Sequence, residues 1–112
     1  MTLPQLTSPR PFLTDGGLET TLVFIDGIDL PDFAAFPLLD TDDGRAALRR
    51  YYRPYLDQAE EHGVGFVIDT PTWRASLDWG ARLGFDPIRL AAINRRSVEF
   101  VTALADERPN VQ

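Results

Sequence analysis

The stretch Val64-Gly65-Phe66-Val67-Ile68-Asp69-Thr70 decides how the fold is read. It is a short apolar run rich in β-branched and aromatic residues, the composition of a strand buried on both faces of a parallel sheet. Directly after it come Asp69-Thr70-Pro71-Thr72-Trp73-Arg74. Parallel α/β sheets and barrels place their ligand sites at the carboxyl ends of strands, where these polar and aromatic groups fall.

Upstream of this strand the spacing predicts a helix over residues 42–62. Asp40-Thr41-Asp42-Asp43 supplies N-cap candidates and first-turn acids, and Leu48, Tyr51, Tyr52, Tyr55, Leu56 and Ala59 recur at helical spacing. Pro54 inside it predicts a kink. Gly63 is placed to end it as a C′ glycine, and His62 reads as a last-turn residue, since no Cys or second His lies near enough to suggest a metal. Further upstream, Pro11-Phe12-Leu13-Thr14-Asp15-Gly16-Gly17 reads as a first strand ending on a carboxylate and two glycines. Residues 18–36 read as a short helix or irregular segment and a long loop.

Downstream, Trp79-Gly80 and Leu83-Gly84 suggest a short helix. Asp86 as N-cap and Pro87 at the first helical position then open a final helix with Leu90, Ile93, Ser97, Val98, Val101, Leu104 and Ala105 on one face. Pro109 is expected beyond its end. The order strand, helix, strand, helix predicts an α/β fold over one domain, residues 1–112: the N-terminal βα units of a truncated (β/α)8 TIM barrel. A complete barrel takes about 250 residues, so the chain would supply roughly a quarter to a third of one, with sheet edges left open.

Composition narrows the function. The formal net charge of −6 repels phosphate backbones and anionic lipid, which argues against nucleic-acid partners. Every basic side chain apart from the single His is Arg, and Lys and Cys are both absent. Schiff-base chemistry, thiolate nucleophiles, disulfides and cysteine metal sites are therefore excluded within this sequence. The opening residues carry Pro4, Pro9 and Pro11 and no apolar run, so neither a signal peptide nor a membrane span is expected and cytoplasmic residence follows.

The two strand ends point to one site. A carboxylate at Asp15, main-chain amides at Gly16 and Gly17, hydroxyls at Thr70 and Thr72 and the indole of Trp73 suit a small zwitterion, the Asp taking an ammonium and the amides and hydroxyls a carboxylate. The same residues suit plain strand caps equally well. No catalytic residue and no metal ligand is assigned.

Leu13-Thr14-Asp15-Gly16-Gly17-Leu18-Glu19-Thr20 resembles the opening Asp-Gly-Gly/Ala-x-Gly-Thr signature of the homocysteine S-methyltransferase family. The run Tyr55 to Ser76, with its Gly63-Val64-Gly65 turn and Thr70-Pro71-Thr72-Trp73-Arg74-Ala75-Ser76, is similar to that family's next segment. Asn94-Arg95-Arg96-Ser97-Val98-Glu99 resembles the helix that follows, so the likeness runs from about Phe12 to Ala105. It implies a homocysteine-binding (β/α)8 barrel that transfers a methyl group from a methyl donor to the homocysteine thiol, giving methionine, on a zinc held by cysteine thiolates. It also implies that Asp15, Gly16 and Gly17 lie near the amino-acid group and that Thr72 and Trp73 line the pocket. The family's zinc cysteines lie in later strands, so no cofactor is expected within this chain. Glu19 stands where many members have Gly, and Arg74 where amides or Tyr are usual.

The expected function is thus the N-terminal fragment of a homocysteine S-methyltransferase-like enzyme, inactive as isolated. The alternative is a non-catalytic amino-acid-binding module that self-associates through its open sheet edges. A carboxylate enzyme such as a lyase, with Asp15 and Asp69 as acid and base, is the remaining reading.

Overall fold

A computed structural model describes residues 3–108. The elements run α1 (Pro4–Thr7), β1 (Phe12–Thr14), α2 (Leu18–Thr20) continued by a π-type turn (Thr21–Ile25), two 3-10 turns (Pro31–Phe33 and Phe36–Asp40), α3 (Asp42–Glu61), β2 (Gly65–Val67), α4 (Leu77–Arg82) and α5 (Pro87–Asp106). No helix among the described residues is long and apolar enough to cross a membrane. Pro109, expected past the last helix, lies outside the described residues.

Helix α3 begins as its sequence dictates. Thr41 is extended, and its hydroxyl accepts from Gly44 N at 2.9 Å, which satisfies one of the orphan donors of the first turn. Asp42 and Asp43 sit in that turn, where the helix dipole favours negative charge. A Cβ at Gly44 would collide with the Leu38 carbonyl, so the absence of a side chain lets the helix start directly on the 3-10 segment. At the other end the His62 N–H bonds back to Gln58 O at 3.1 Å and Gly63 turns out at φ +64°. Pro54 is exposed, and the helix continues through it to Glu61.

Helix α5 opens on Asp86, whose carboxylate accepts from Arg89 N at 2.7 Å, with Pro87 in the first turn. Its buried face is Leu90, Ile93, Ser97, Phe100, Val101 and Leu104. Val98, expected on that face, is exposed, and Phe100 takes the inward position instead. The Ser97 hydroxyl, buried among apolar neighbours, donates to Asn94 O at 2.6 Å.

The structure overturns the barrel expectation. Only two strands of three residues each are present among the described residues, paired in parallel with Phe12 opposite Gly65, Leu13 opposite Phe66 and Thr14 opposite Val67. After β2 the chain runs into α4 and α5 with no third strand, so the βα repeat that defines a TIM barrel is not there. The apolar character of the run 64–70 does not correspond to burial on both faces. Phe66 alone in the strand is buried, Gly65 and Val67 are half-buried, and Asp69 is exposed. The core is instead mainly helical. Both α3 and α5 pack on the 3-10 segment Phe36–Asp40, and Leu22, Phe36, Leu39, Leu48, Leu56 and Phe66 are fully enclosed. Phe36 meets Phe85 edge to face at 5.2 Å between ring centroids, in the geometry aromatic quadrupoles prefer.

Candidate functional site

Parallel pairing of β1 with β2 brings their carboxyl ends side by side, and the residues that follow each strand form the candidate site. Helix α3 lies against both strands and presents Tyr51, Tyr52 and Tyr55 towards them. The Tyr51 hydroxyl stands 2.7 Å from Asp15 Oδ2 and 2.9 Å from Gly16 O, so its single proton is divided between two acceptors. Tyr55 donates to Gly16 O at 2.9 Å. Tyr52, almost wholly buried, donates to Asp69 O at 2.8 Å. One helix thus ties down both strand ends.

Burial and nearby charge keep the Tyr51 and Tyr52 phenols protonated. Burial, followed by the hydrogen bond and charge of Asp15, pushes the Tyr51 hydroxyl far above its ordinary value. Burial does the same for Tyr52, helped by the charges of Asp15, Asp69 and Glu19, which gather around it. At neutral pH both remain donors, and Asp15 keeps at least one of its oxygens paired.

Its other oxygen does not. Asp15 Oδ1 is buried with no hydrogen-bond partner among the described residues. Beside it, Gly16 and Gly17 face open space: a Cβ built on either meets no atom within 4 Å. Gly17 has φ +71°, a conformation that suits glycine, and the Gly16 and Gly17 N–H groups donate to no carbonyl among the described residues. Across the sheet, Thr70 Oγ1 and Thr72 Oγ1 lie 2.7 Å apart. One hydroxyl donates to the other, which leaves a donor free on the acceptor.

No family model, curated protein or solved structure matches this chain.

The geometry therefore speaks for itself. Of the residues singled out in the sequence, Asp15 and Gly16 are drawn together by the tyrosines, and Thr70 and Thr72 form a pair at the neighbouring strand end. Trp73 is placed differently. It is 53% exposed, contacts the Arg74 guanidinium and the Phe33 ring, and lines a cleft that reaches Thr72. The roles of Tyr51, Tyr52 and Tyr55 were missed because helical spacing marks only which side of a helix is buried. The signal available was residue type, since a phenol placed on a core face needs a partner for its hydroxyl, as a phenylalanine does not.

Zinc of the kind the resemblance implies takes cysteine thiolates. The chain has no cysteine, and no group of three or more His, Asp or Glu that could hold a metal gathers among the described residues. The residues here do not fit that centre.

Proposed function

We propose that this chain is an amino-acid-binding unit of the homocysteine S-methyltransferase type, holding homocysteine as the acceptor of a methyl group. The observation that carries this reading is the buried, unpartnered Asp15 Oδ1. A carboxylate oxygen cut off from water without a donor costs free energy, and a ligand ammonium beside it would remove that cost. The Gly16 and Gly17 amides and the free hydroxyl of the Thr70–Thr72 pair supply donors for the ligand carboxylate. Asp15 Oδ2 stays on Tyr51, which fixes the orientation of the carboxylate before the ligand arrives.

Binding is the part of the reaction assigned to this sequence. Activation of the thiol needs a thiolate-stabilising group, and a methyl donor must be bound as well; neither task is assigned to a residue here. Cytoplasmic residence belongs to the same proposal.

Calorimetric titration of the chain with L-homocysteine tests the reading. Saturable binding is expected, with a loss of at least about tenfold in Asp15→Asn, which keeps the shape of the side chain and removes its charge. Equal affinity in wild type and Asp15→Asn, or no binding in either, would sink it.

A second reading, a self-associating module, is favoured by exposed apolar side chains of β1 and of the Thr21–Ile25 turn. Leu13 is 37% exposed, and Phe24 and Ile25 of the following turn are more than 70% exposed. Sedimentation at increasing concentration distinguishes the two: mass that grows with concentration without homocysteine binding supports the module alone.

A further inference from the structure

Arg74 is not used by the amino-acid site, and its surroundings are unusual. It follows the Thr72-Trp73 turn with φ +68°, a left-handed backbone conformation that favours glycine and strains other residues. Its guanidinium carbon lies 4.3 Å from the centroid of the Trp73 ring and 3.9 Å from that of Trp79. These π contacts are its interactions among the described residues. Among the described residues it makes no ion pair, although Asp78 is in the adjacent first turn of α4, and its Nε is buried without a partner there. Arg82 lies over the same Trp79 ring at 4.7 Å, but that guanidinium is paired with Asp32 at 3.4 Å.

Arg10, Arg49, Arg50, Arg53 and Arg95 also lack an ion pair among the described residues, but Arg74 alone is stacked on two indoles with a buried, unpartnered Nε. Its five N–H donors are arranged as a planar fork suited to an oxyanion, and indole faces hold that fork without using up its donors. The surroundings also offer a ligand a place to sit. A cleft of about 560 Å³ is lined by Thr72, Trp73, Arg74, Ala75, Ser76 and Trp79. Trp73 leaves half its surface open there, with Phe33 set edge-on to it at 6.5 Å. A flat apolar body would cover that indole, and the Thr72 and Ser76 hydroxyls stand at the rim.

We propose that this cleft is a binding site for a small monocarboxylate with a flat apolar body, the carboxylate held by Arg74 and the body stacked on Trp73. One free guanidinium matches one negative charge. The proposal shares Thr72 with the homocysteine reading, but neither Asp15 nor the glycines take part.

Benzoate serves as the probe, with benzamide as its neutral isostere. The sequence holds two tryptophans, Trp73 and Trp79, and both line the cleft, so the two indole N–H resonances in an NMR titration report on this site. Saturable shifts of both are expected with benzoate, and benzamide is expected to bind at least about tenfold more weakly. Arg74→Gln should lose about tenfold or more, whereas Arg74→Lys should fall between, having the charge but not the fork. Asp15→Asn should bind benzoate as wild type does, which separates failure here from failure of the homocysteine reading. Equal response to benzoate and benzamide would show stacking without anion recognition and overturn the proposal. So would undiminished benzoate binding in Arg74→Gln, or an absence of saturable shifts in wild type. If circular dichroism shows Arg74→Gln to be unfolded, Arg74→Lys decides: wild-type affinity in that folded variant also overturns it.

Discussion

The two strand ends lie side by side and are held in opposite ways. After β1, Asp15 and Gly16 are fixed by hydroxyls from Tyr51 and Tyr55, which lie 35 to 39 residues further along the chain. After β2, apart from the bond from Tyr52, one from Asn94 to Ala75 O at 3.3 Å and the edge contact of Phe33 with Trp73, the positioning is local: Thr70 meets Thr72, Ala75 N bonds to Thr72 O at 2.8 Å, and Arg74 stacks on Trp73 and Trp79. The first end depends on tertiary structure and should be rigid only while α3 is docked. The second carries most of its own restraints, at the cost of a strained backbone at Arg74.

The largest effect is expected from the element beneath both ends. Phe66 is fully buried, sits opposite Leu13 in the sheet and packs near the Tyr55 ring. Phe66→Ala should cost about 3–5 kcal/mol in urea denaturation and loosen both ends together. A cost below about 1 kcal/mol would mean that the strands do not carry α3, and the contrast would have to be redrawn.

Tyr51→Phe should act on the first end alone. It removes the hydroxyl from Asp15 and Gly16 and leaves more of a buried carboxylate unpaired, at a cost of about 1–3 kcal/mol. Its pH dependence sharpens the test. A phenol raised in the folded state stabilises fully below the ordinary tyrosine value of about 10, and that contribution is lost as pH rises above it, because the unfolded chain ionises first. Wild-type stability should therefore fall as pH rises above about 10, and Tyr51→Phe should fall less steeply over the same range. Parallel curves would show that Tyr51 is not protected.

Arg74→Gly should act least. Relief of the left-handed backbone offsets the loss of two cation–π contacts, so the unfolding free energy should change by less than about 1 kcal/mol. A loss well beyond that would mean that the stack at the second end does more than hold itself.

How far each region could be read from the sequence follows the same division. Local signals were legible: Thr41 and Gly63 bound α3 within a residue or so of the expected limits, and Asp86 with Pro87 marked the start of α5. Thr70 and Thr72 fall at one strand end because only Pro71 separates them. What failed depended on distant partners. The strands are three residues long rather than seven because burial along a strand is set by what packs on it, and the Phe36–Asp40 platform, which starts where the expected 18–36 segment ends, has no periodicity that would mark it. The homocysteine site residues were nameable, but that Asp15 keeps one oxygen on Tyr51 and the other empty was not, since nothing local to Asp15 encodes a tyrosine one helix away. Val98 and Phe100 exchanged places on α5 for a related reason, the choice between two apolar neighbours being made by the surface they meet.

The distribution of aromatic residues has a practical result. All three tyrosines of the chain belong to the α3 cluster at the first strand end, and both tryptophans belong to the cleft at the second. Tyrosine emission overlaps tryptophan absorption, so light absorbed at one end is passed to the other with an efficiency that falls steeply with their separation. The molecule carries an unlabelled ruler between its two strand ends, and slippage of α3 away from the sheet would be visible as lost energy transfer before any change in helix content.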